Sequence, residues 1–388
     1  MTSKKVLLIC GTRPEIIKMA PVWKALQAIP GITPVLLHTG QHTDMATPLY
    51  AFFDMPPTIT LDLTRKNPSL THLNALLLEE IGAVLTAQQP AAVLVHGDTS
   101  SAMMGAMAAF FQQIPVGHVE AGLRTGEMYS PFPEEMNRSI IGRIAQWHYA
   151  PTKRAWAALI AENIDPQHVI TTGNTVVDAA QLTARLLETT TEPFWQDNDL
   201  ANRISGKKLV LVTAHRRENW GAGLEQIAHA ACDLLASYPD VVMVWPLHAN
   251  PAVGNTVREV FAARNTPTDR ALLCGPLDYM ALIKLLTRSF LVLTDSGGIQ
   301  EEAAAFGVPV LVLRESTERP ELIDAGGGLL TGADRAVIRR EAGALFESEE
   351  RHAAMANIDN PFGDGTAAIQ IAEHLKKTLH ISTYQAAA

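Results

Sequence analysis

Short apolar runs alternate with longer stretches in which apolar residues recur at helical spacing. In the first half this pattern predicts strands at residues 6–10, 34–38, 92–96 and 116–119, and helices at 16–28, 70–87 and 101–111. Continuous apolar strands separated by helices are typical of a parallel sheet covered on both faces. We therefore predict a doubly wound α/β domain.

The pattern breaks at residues 189–206, a polar and threonine-rich stretch, and then restarts. Further strands are predicted at 209–213, 241–245, 271–274, 291–294 and 308–313, and a last helix at 366–379. We predict two Rossmann-like doubly wound domains facing a cleft, residues 1–174 and 175–363. The terminal segment 364–388 is expected to pack back on the first domain.

Composition narrows the functional classes. The chain has 388 residues, of which 47% are hydrophobic and 18% charged, so it is globular rather than disordered. Its net charge of -9 gives no overall basic field for nucleic acid. Three widely separated cysteines, Cys10, Cys232 and Cys274, predict neither a disulfide framework nor a metal site and fit a reducing cytoplasm. No apolar run is long enough for a signal peptide or a membrane span.

Three acidic clusters follow predicted strands in the first domain. Asp98, Glu120 and Glu134 each come after an apolar run and before a helical pattern. The carboxyl ends of parallel strands meet at one edge of a sheet, so these acids are expected to converge. Any one of them could cap a helix, but three together favour proton chemistry. Arg124 and Arg138 are candidates to balance their charge or to orient a substrate.

The segment from Asp295 to Glu302 predicts a phosphate site. It follows a strand and is expected to open a helix at Ile299. Backbone N–H groups of Ser296, Gly297 and Gly298 at a positive helix terminus suit a diphosphate, and Glu302 suits ribose hydroxyls. A plain capped helix with a glycine turn is the less favoured interpretation.

Other strand ends are less decisive. Arg13 and Lys18 lie in a turn without a G-x-G-x-x-G pattern, so the turn predicts no dinucleotide site, and anion binding and a plain turn are equally supported. His215 is a candidate for phosphate contact or proton transfer. Spacing alone does not decide whether Arg319 binds a diphosphate or is an exposed helix-start arginine.

Further polar residues have simpler interpretations. Arg216 and Arg217 fit a surface cluster paired with Glu218 slightly better than a ligand site. The histidines near strand ends lack a metal-ligand spacing and are interpreted as structural or substrate-adjacent. They are His42, His96, His118 and His248.

Taken together, these motifs closely resemble the non-hydrolysing UDP-N-acetylglucosamine 2-epimerases. The similar segments run in order across nearly the whole chain. They are Gly11-Thr-Arg-Pro-Glu15, His96-Gly-Asp-Thr99, His118-Val-Glu-Ala-Gly-Leu-Arg124, Pro131-Phe-Pro-Glu-Glu135 with Asn137-Arg138, Thr172-Gly-Asn-Thr175, His215-Arg-Arg-Glu218, Asp295-Ser-Gly-Gly-Ile-Gln-Glu-Glu302 and Thr317-Glu-Arg-Pro-Glu321.

The resemblance implies a glycosyltransferase-B-like fold, a homodimer, and interconversion of UDP-N-acetylglucosamine and UDP-N-acetylmannosamine without cofactor or metal. In the mechanism that the resemblance implies, a base removes the proton on carbon 2 and UDP leaves carbon 1. UDP then adds back to the 2-acetamidoglucal intermediate while a proton reaches the opposite face of carbon 2.

It also implies residue roles. Asp98, Glu120 and Glu134 serve proton transfer and sugar positioning, with the identity of the base open, and His215 and Arg138 support the reacting end. The residues implied to bind UDP or its diphosphate are Arg13, Lys18, Ser296, Gly297, Gly298, Glu302 and Arg319, with Leu277 and Leu282 in a backbone loop at uracil.

Two departures from the family pattern concern regulation. Thr43 and Asp44 stand where many members have Arg and Glu, and Asn67-Pro68 where many have a pair ending in Gln. In some members this neighbourhood binds a second, activating UDP-N-acetylglucosamine.

Several readings remain open. One is an epimerase of a modified UDP-hexosamine, and another is a hydrolysing epimerase that releases N-acetylmannosamine and UDP. A glycosyltransferase would leave the acids unexplained, and a silent UDP-sugar sensor would show no turnover.

Overall fold

A computed structural model describes residues 3–41, 46–63, 67–248 and 250–381. The chain forms two compact units, one of Met1–Ala179 with Gly363–Ala388 and the other of Ala180–Phe362. His42, Thr43, Asp44 and Lys66 lie outside the described residues, and with them much of the two segments that depart from the family pattern.

The first unit contains a parallel sheet in the order β3-β2-β1-β4-β5-β6-β7 among its described residues. The strands are β1 (Lys4–Cys10), β2 (Ile32–His38), β3 (Ile59–Thr60), β4 (Ala92–His96), β5 (Val116–Val119), β6 (Trp147–Ala150) and β7 (Val169–Thr171). The helices are α1 (Arg13–Gln27), α2 (Thr47–Phe52), α3 (Leu70–Gln88), α4 (Ser100–Phe111), α5 (Glu134–Ile144) and α6 (Lys153–Ala161). Helix α7 (Thr175–Thr189) runs on into the second unit.

The second unit repeats this plan in the order β10-β9-β8-β11-β12-β13. Its strands are β8 (Lys208–Thr213), β9 (Val241–Pro246), β10 (Ala271–Cys274), β11 (Ser289–Thr294), β12 (Val310–Val312) and β13 (Gly328–Leu330). Its helices are α8 (Pro193–Asp197), α9 (Leu200–Arg203), α10 (Ala222–Ser237), α11 (Pro251–Ala263), α12 (Tyr279–Leu286), α13 (Gly297–Ala304), α14 (Pro320–Asp324), α15 (Arg335–Glu347) and α16 (Glu349–Ala356).

Central strands are apolar because helices cover both faces of each sheet. Val6 to Cys10 of β1 are fully buried, and the order of each sheet reverses beside its first strand, β1 or β8. Ligands of doubly wound sheets bind near that reversal, at the carboxyl ends of the strands. The predicted fold class of two doubly wound parallel-sheet domains is confirmed.

The last helix, α17 (Ala367–Thr378), belongs to the first unit and contacts α1 there. Its first turn is anchored by Asp178 of α7, whose Oδ1 accepts the backbone N–H of Ala368 at 2.9 Å. Burial raises the pKa of the Asp178 carboxyl, and the backbone donors lower it only in part. Within the described residues no helix is long and apolar enough to cross a membrane.

Several element boundaries differ from the sequence prediction. Helix α1 begins at Arg13 rather than residue 16, because Pro14 fits its first turn and Glu15 accepts the N–H of Thr12. Residues 189–206, predicted as a break, include the short helices α8 and α9. Helix α13 begins at Gly297 rather than Ile299, which places both glycines inside its first turn.

Candidate functional site

Asp98 lies just beyond the end of β4 and is held by Arg138. The Arg138 Nη2 and Nε atoms are 2.7 and 2.9 Å from Asp98 Oδ2, and Asn137 donates to the Asp98 carbonyl oxygen at 2.7 Å. Burial raises the pKa of Asp98, Arg138 lowers it, and Glu120 and Glu134 raise it again. The net shift is upward, so this carboxyl binds a proton more tightly than an ordinary aspartate. Asp98 therefore interacts electrostatically with both of the other predicted acids.

Glu120 follows β5 directly and has a left-handed backbone, with φ of 64°. Its Oε1 accepts hydrogen bonds from Lys18 Nζ and from Asn174 Nδ2, the latter at 2.9 Å. On the other oxygen, Oε2 lies 3.6 Å from His96 Nε2. A left-handed non-glycine residue costs about 1 kcal/mol or more, and such strain concentrates at functional sites. The surrounding contacts fix this carboxylate in one orientation.

Glu134 is the first residue of α5 and is partly exposed. The next residue, Glu135, is buried and accepts the N–H groups of Thr125 and Gly126 at 3.0 Å and Arg138 Nη1 at 2.9 Å. Burial opposes its ionisation, but these donors outweigh burial and lower the pKa of Glu135. Glu135 therefore holds Arg138 in place for Asp98.

The two predicted cations of the first turn differ in their surroundings. Arg13 is exposed at the start of α1, whereas Lys18 is half-buried and faces Glu120. Lys18 thus contacts one of the predicted acids, although it was predicted as a UDP contact. Arg124, predicted to balance the acids, pairs instead with Glu162, its Nε lying 2.6 Å from Oε1.

Two histidines behind the acids are buried and neutral. Burial lowers the pKa of His96 to about 4, partly offset by Glu120, and lowers that of His118 to about 3. His118 Nε2 contacts the Gly97 carbonyl oxygen at 2.8 Å. Neutral rings in these positions add no positive charge beside the acids.

In the second unit, His215 follows β8 and is oriented by Asp295. Its Nδ1 is 3.4 Å from Asp295 Oδ1, while Oδ2 accepts the backbone N–H groups of His215 and Arg216 at 2.9 and 2.8 Å. Asn219 Nδ2 donates to the same oxygen at 3.0 Å. Asp295 is fully buried, whereas the His215 side chain is 42% exposed and stacks on His248. The imidazole edge away from Asp295 can therefore reach a ligand.

Arg216, beside His215, makes a surface ion pair. Arg216 Nη2 is 3.7 Å from Glu318 Oε1, and both side chains are more than a third exposed. Glu218, predicted to pair with Arg216 and Arg217, contacts Arg314 Nε at 2.6 Å instead.

The anion site predicted at the start of α13 stays a prediction, with one correction to its residues. The backbone N–H of Ser296 donates to Thr294 Oγ1 at 3.0 Å, so it is already engaged. Gly297 and Gly298 are the first helical residues, and first-turn N–H groups have no acceptor within their own helix. No side chain or backbone would contact a Cβ on Gly298 within 4 Å. A diphosphate oxygen can therefore approach these two amides.

Arg319 lies beside that helix start. Its Nε donates to Glu301, its Cζ would be 3.9 Å from a Cβ on Gly297, and its side chain is largely buried. Thr317 Oγ1 donates to Gln300 Oε1 at 2.8 Å, which ties the Arg319 loop to α13. The guanidinium is therefore held at the glycine turn rather than exposed.

The residues predicted to contact uracil and ribose lie in different kinds of structure. Glu302 is on α13 and raises the pKa of Tyr279, whose main perturbation is burial. Leu277 is in the loop before α12. Leu282 was predicted in this loop, which is wrong, because it lies inside α12 and its N–H donates to the Asp278 carbonyl oxygen at 3.1 Å. Its N–H is therefore not available to a base.

Of the two segments that depart from the family pattern, the structure describes the second from Asn67 onward. Asn67 Oδ1 accepts the N–H and hydroxyl of Ser69 at 3.0 and 2.6 Å, and Ser69 caps α3. Pro68 lies between them, so this segment forms a helix start. Across the described ranges no group of three His, Cys, Asp or Glu side chains is placed to hold a metal ion.

Comparison with known proteins identifies the family. The family model described as UDP-N-acetylglucosamine 2-epimerase matches residues 24–376. The chain belongs to the UDP-N-acetylglucosamine 2-epimerase family. The epimerase of Escherichia coli K12 is 40% identical over 380 residues, covering 96% of this chain and 98% of that protein. The predicted family membership is confirmed.

Two solved structures are also similar to this chain. The Neisseria meningitidis enzyme, solved with UDP-GlcNAc, has a TM-score of 0.83 and 40% identity, covering 96% of this chain and 100% of that one. Staphylococcus aureus MnaA, solved with UDP, has a TM-score of 0.83 and 38% identity, covering 98% of each chain.

Sequence reasoning about this epimerase-family chain missed the residues that orient others. They are Glu15, Glu135, Asn137, Asn174, Asp295 and Glu301. All but Asn174 lie within two residues of a predicted site residue and carry side chains able to hydrogen bond. Adjacency was therefore a usable signal, but the partner of each could not be read from spacing.

Proposed function

We propose that the protein interconverts UDP-N-acetylglucosamine and UDP-N-acetylmannosamine by elimination and re-addition of UDP, without hydrolysis. Family membership supports the substrate and the reaction class. The observation that carries the mechanism is the electrostatic interaction of Asp98 with both Glu120 and Glu134. More than one acid is expected, because a sugar that inverts at carbon 2 needs proton transfer on two faces.

In the first step a carboxylate accepts the proton from carbon 2. The electron pair of that C–H bond forms the double bond between carbons 1 and 2, and the C1–O bond breaks with its electrons on the UDP oxygen. Asp98 is a good candidate for the acceptor, because burial raises its pKa and thus its proton affinity while Arg138 fixes its direction. Glu120 and Glu134 are then the candidates for the opposite face.

Departure of UDP places charge on a diphosphate oxygen. We assign its stabilisation to the N–H groups of Gly297 and Gly298, the Arg319 guanidinium and His215. The helix start and the guanidinium are present before any ligand arrives, which lowers the cost of reorganisation in the transition state. In the return step the same oxygen attacks carbon 1 while a proton reaches carbon 2 from the other face.

The test is incubation with UDP-N-acetylglucosamine in deuterated water, followed by NMR. We expect deuterium at carbon 2 and accumulation of UDP-N-acetylmannosamine. Free N-acetylmannosamine with UDP would establish the hydrolysing reaction instead. Exchange seen only with a modified UDP-hexosamine would move the substrate, and UDP binding without any exchange would overturn the enzymatic proposal.

Matched isosteric variants assign the acids. Asp98→Asn, Glu120→Gln and Glu134→Gln each remove one proton carrier while keeping shape. General acid–base groups contribute about 100- to 10,000-fold, so the essential ones should lose turnover by that order while UDP binding persists. Solvent exchange that survives in a variant without epimer formation identifies the acid of the second face.

We also propose that the enzyme works as a homodimer, as the family resemblance implies. Phe110 and Phe111 at the end of α4 are 58% and 63% exposed, and exposed aromatic pairs are typical of association surfaces. Light scattering should give twice the 42.0 kDa chain mass. A monomer at the enzyme's working concentration would refute this proposal without touching the chemistry.

A further inference from the structure

Glu15 is a buried acid that the proposed chemistry does not use. It lies in the first turn of α1 and is 1% exposed. Oε2 accepts the N–H groups of Gly11 and Thr12 at 2.9 and 2.7 Å and the Thr12 hydroxyl at 2.9 Å. Oε1 accepts the Thr99 hydroxyl at 2.6 Å. One carboxylate thus joins the turn after β1 to the turn after β4.

Helix capping explains only half of this arrangement. A glutamate at the third helical position ordinarily accepts the N–H of the capping residue, as Glu15 does for Thr12. The second oxygen instead reaches Thr99, which is distant in sequence and belongs to a different helix start. Burying a carboxylate is costly unless its oxygens are satisfied, and burial does raise the pKa of Glu15 despite the four donors. An exposed capping glutamate would not incur this cost.

The two joined turns carry two of the proposed site residues. Thr99 directly follows Asp98, and its hydroxyl also accepts the Ala102 N–H at 3.0 Å as the cap of α4. At the other end, Thr12 directly precedes Arg13. A shift of the Thr99 hydroxyl therefore moves the backbone from which Asp98 projects, and a shift at Gly11 and Thr12 moves the turn of Arg13.

We propose that Glu15 is a positioning residue of the reaction: through Thr99 it sets the place of Asp98, and through Gly11 and Thr12 it sets the turn of Arg13. It acts through these two turns and not by contact with substrate. This inference rests on the proposed function, since it assigns Glu15 a task in that same site.

Variants at Thr99 and Glu15 distinguish the contact with the Asp98 turn from the contacts with the Arg13 turn. Thr99→Val removes the hydroxyl that joins Glu15 to the Asp98 turn, and Thr99→Ser restores it. Glu15→Ala releases both turns. Ser348→Ala is the matched control, because it removes the hydroxyl cap of α16, which accepts the Arg351 N–H at 3.1 Å, without touching Glu15.

Steady-state kinetics with UDP-N-acetylglucosamine give the first readout. Small misplacements of a catalytic group can cost about 100-fold, so Thr99→Val should lower kcat by that order with KM little changed. Thr99→Ser should recover most of the loss, and Ser348→Ala should keep the wild-type kcat. Glu15→Ala should lower kcat and raise KM, and adding Thr99→Val should lower kcat no further, because both changes break one link.

Hydrogen exchange gives a second readout that does not depend on turnover. Glu15→Ala should speed deuterium uptake in peptides spanning residues 97–102, and Ser348→Ala should not. Equal loss of kcat in Thr99→Val and Ser348→Ala, additive losses in the double variant, or unchanged uptake at 97–102 would each overturn the inference. A wild-type protein without turnover, in which Glu15→Ala still speeds that uptake, would refute the proposed function and leave the link intact.

Discussion

Asp295 places one oxygen of its buried carboxylate against the ring of His215 and binds the His215 backbone with the other. Oδ1 is 3.4 Å from Nδ1, and Oδ2 is 2.9 Å from the His215 backbone nitrogen. An ionised carboxylate only accepts hydrogen bonds, so this contact favours the proton on Nδ1 and leaves Nε2 as the acceptor. Asp295 therefore favours the tautomer of His215 in which Nε2 can accept a hydrogen bond from a ligand.

Replacing this carboxylate by an amide should reverse the tautomer. In Asp295→Asn the amide oxygen must occupy the Oδ2 position, where three N–H donors converge, so the NH2 group faces His215 Nδ1. The proton then moves to Nε2. We expect kcat to fall by about 100-fold, the lower range for a misused acid–base group. Nitrogen NMR of the ring reports the tautomer directly.

Asn219→Ala is the control for that experiment. It removes one donor to Asp295 Oδ2 and leaves the Oδ1 contact with His215 intact. Its kcat should fall much less than that of Asp295→Asn. An Asp295→Asn enzyme that folds, keeps the Nδ1–H tautomer and turns over normally would contradict the orienting role.

Arg138 should control the pH dependence of turnover through Asp98. The pKa of Asp98 is raised by burial and held down by Arg138. In Arg138→Gln that restraint is lost, so the pKa of Asp98 rises further. If Asp98 is the base, activity requires its ionised form, and the acid limb of kcat/KM moves to higher pH. The midpoint is measured against pH with UDP-N-acetylglucosamine.

Arg124→Gln provides the comparison, because Arg124 pairs with Glu162 and not with Asp98. Its acid limb should stay at the wild-type pH. A limb that stays in place in Arg138→Gln, with folded protein and measurable turnover, would mean that a group other than Asp98 sets it.

Buried His118 should make the first unit sensitive to acid. Burial lowers its pKa to about 3, whereas an unfolded histidine has a pKa of about 6.5. Between these values the unfolded chain binds a proton that the folded chain does not, so stability falls as pH falls. The slope is about 1.4 kcal/mol per pH unit, or about 2 kcal/mol between pH 7 and pH 5.

His118→Gln removes that linkage. The difference in unfolding free energy between wild type and variant should shrink by about 2 kcal/mol from pH 7 to pH 5, as measured by urea unfolding. Val119→Ala, a neighbouring change without a titrating group, should give a difference that is constant with pH. A constant difference for His118→Gln as well would show that the ring binds its proton equally well in the folded and the unfolded chain.

Most strands of the two sheets and the positions of the acids could be predicted from the sequence, because both leave local signals in it. Strands at 92–96, 116–119 and 271–274 match the observed β4, β5 and β10, since each is an apolar run ended by polar residues. The strands that were not predicted are short or polar, as in Trp147–Ala150 and Ile59–Thr60. Their pairing partners, rather than their own residues, make them strands.

The supporting contacts could not be predicted because they join residues distant in sequence. Asn174 reaches Glu120, and Glu162 rather than an active-site acid takes Arg124. Leu282 was misplaced for a local reason: Asp278 caps α12 and draws the helix start ahead of it. Spacing places a residue at a strand end, but only the packed structure shows which side chain turns toward it.

Gly122 should be intolerant of any side chain, and Gly126 should not. Gly122 has φ of 93°, and a Cβ there would lie 2.3 Å from the carbonyl oxygen of Ala155 in α6. Gly126 has φ of 80° with nothing within 4 Å of its Cβ position. Gly126→Ala thus costs only backbone strain, about 1 kcal/mol, whereas Gly122→Ala adds a backbone clash and should cost about 3 kcal/mol. Glu120 is two residues earlier, so Gly122→Ala should also lower kcat. Urea unfolding and turnover of the two variants, side by side, decide the matter. Equal costs would mean that α6 moves away freely and does not fix the loop that carries Glu120.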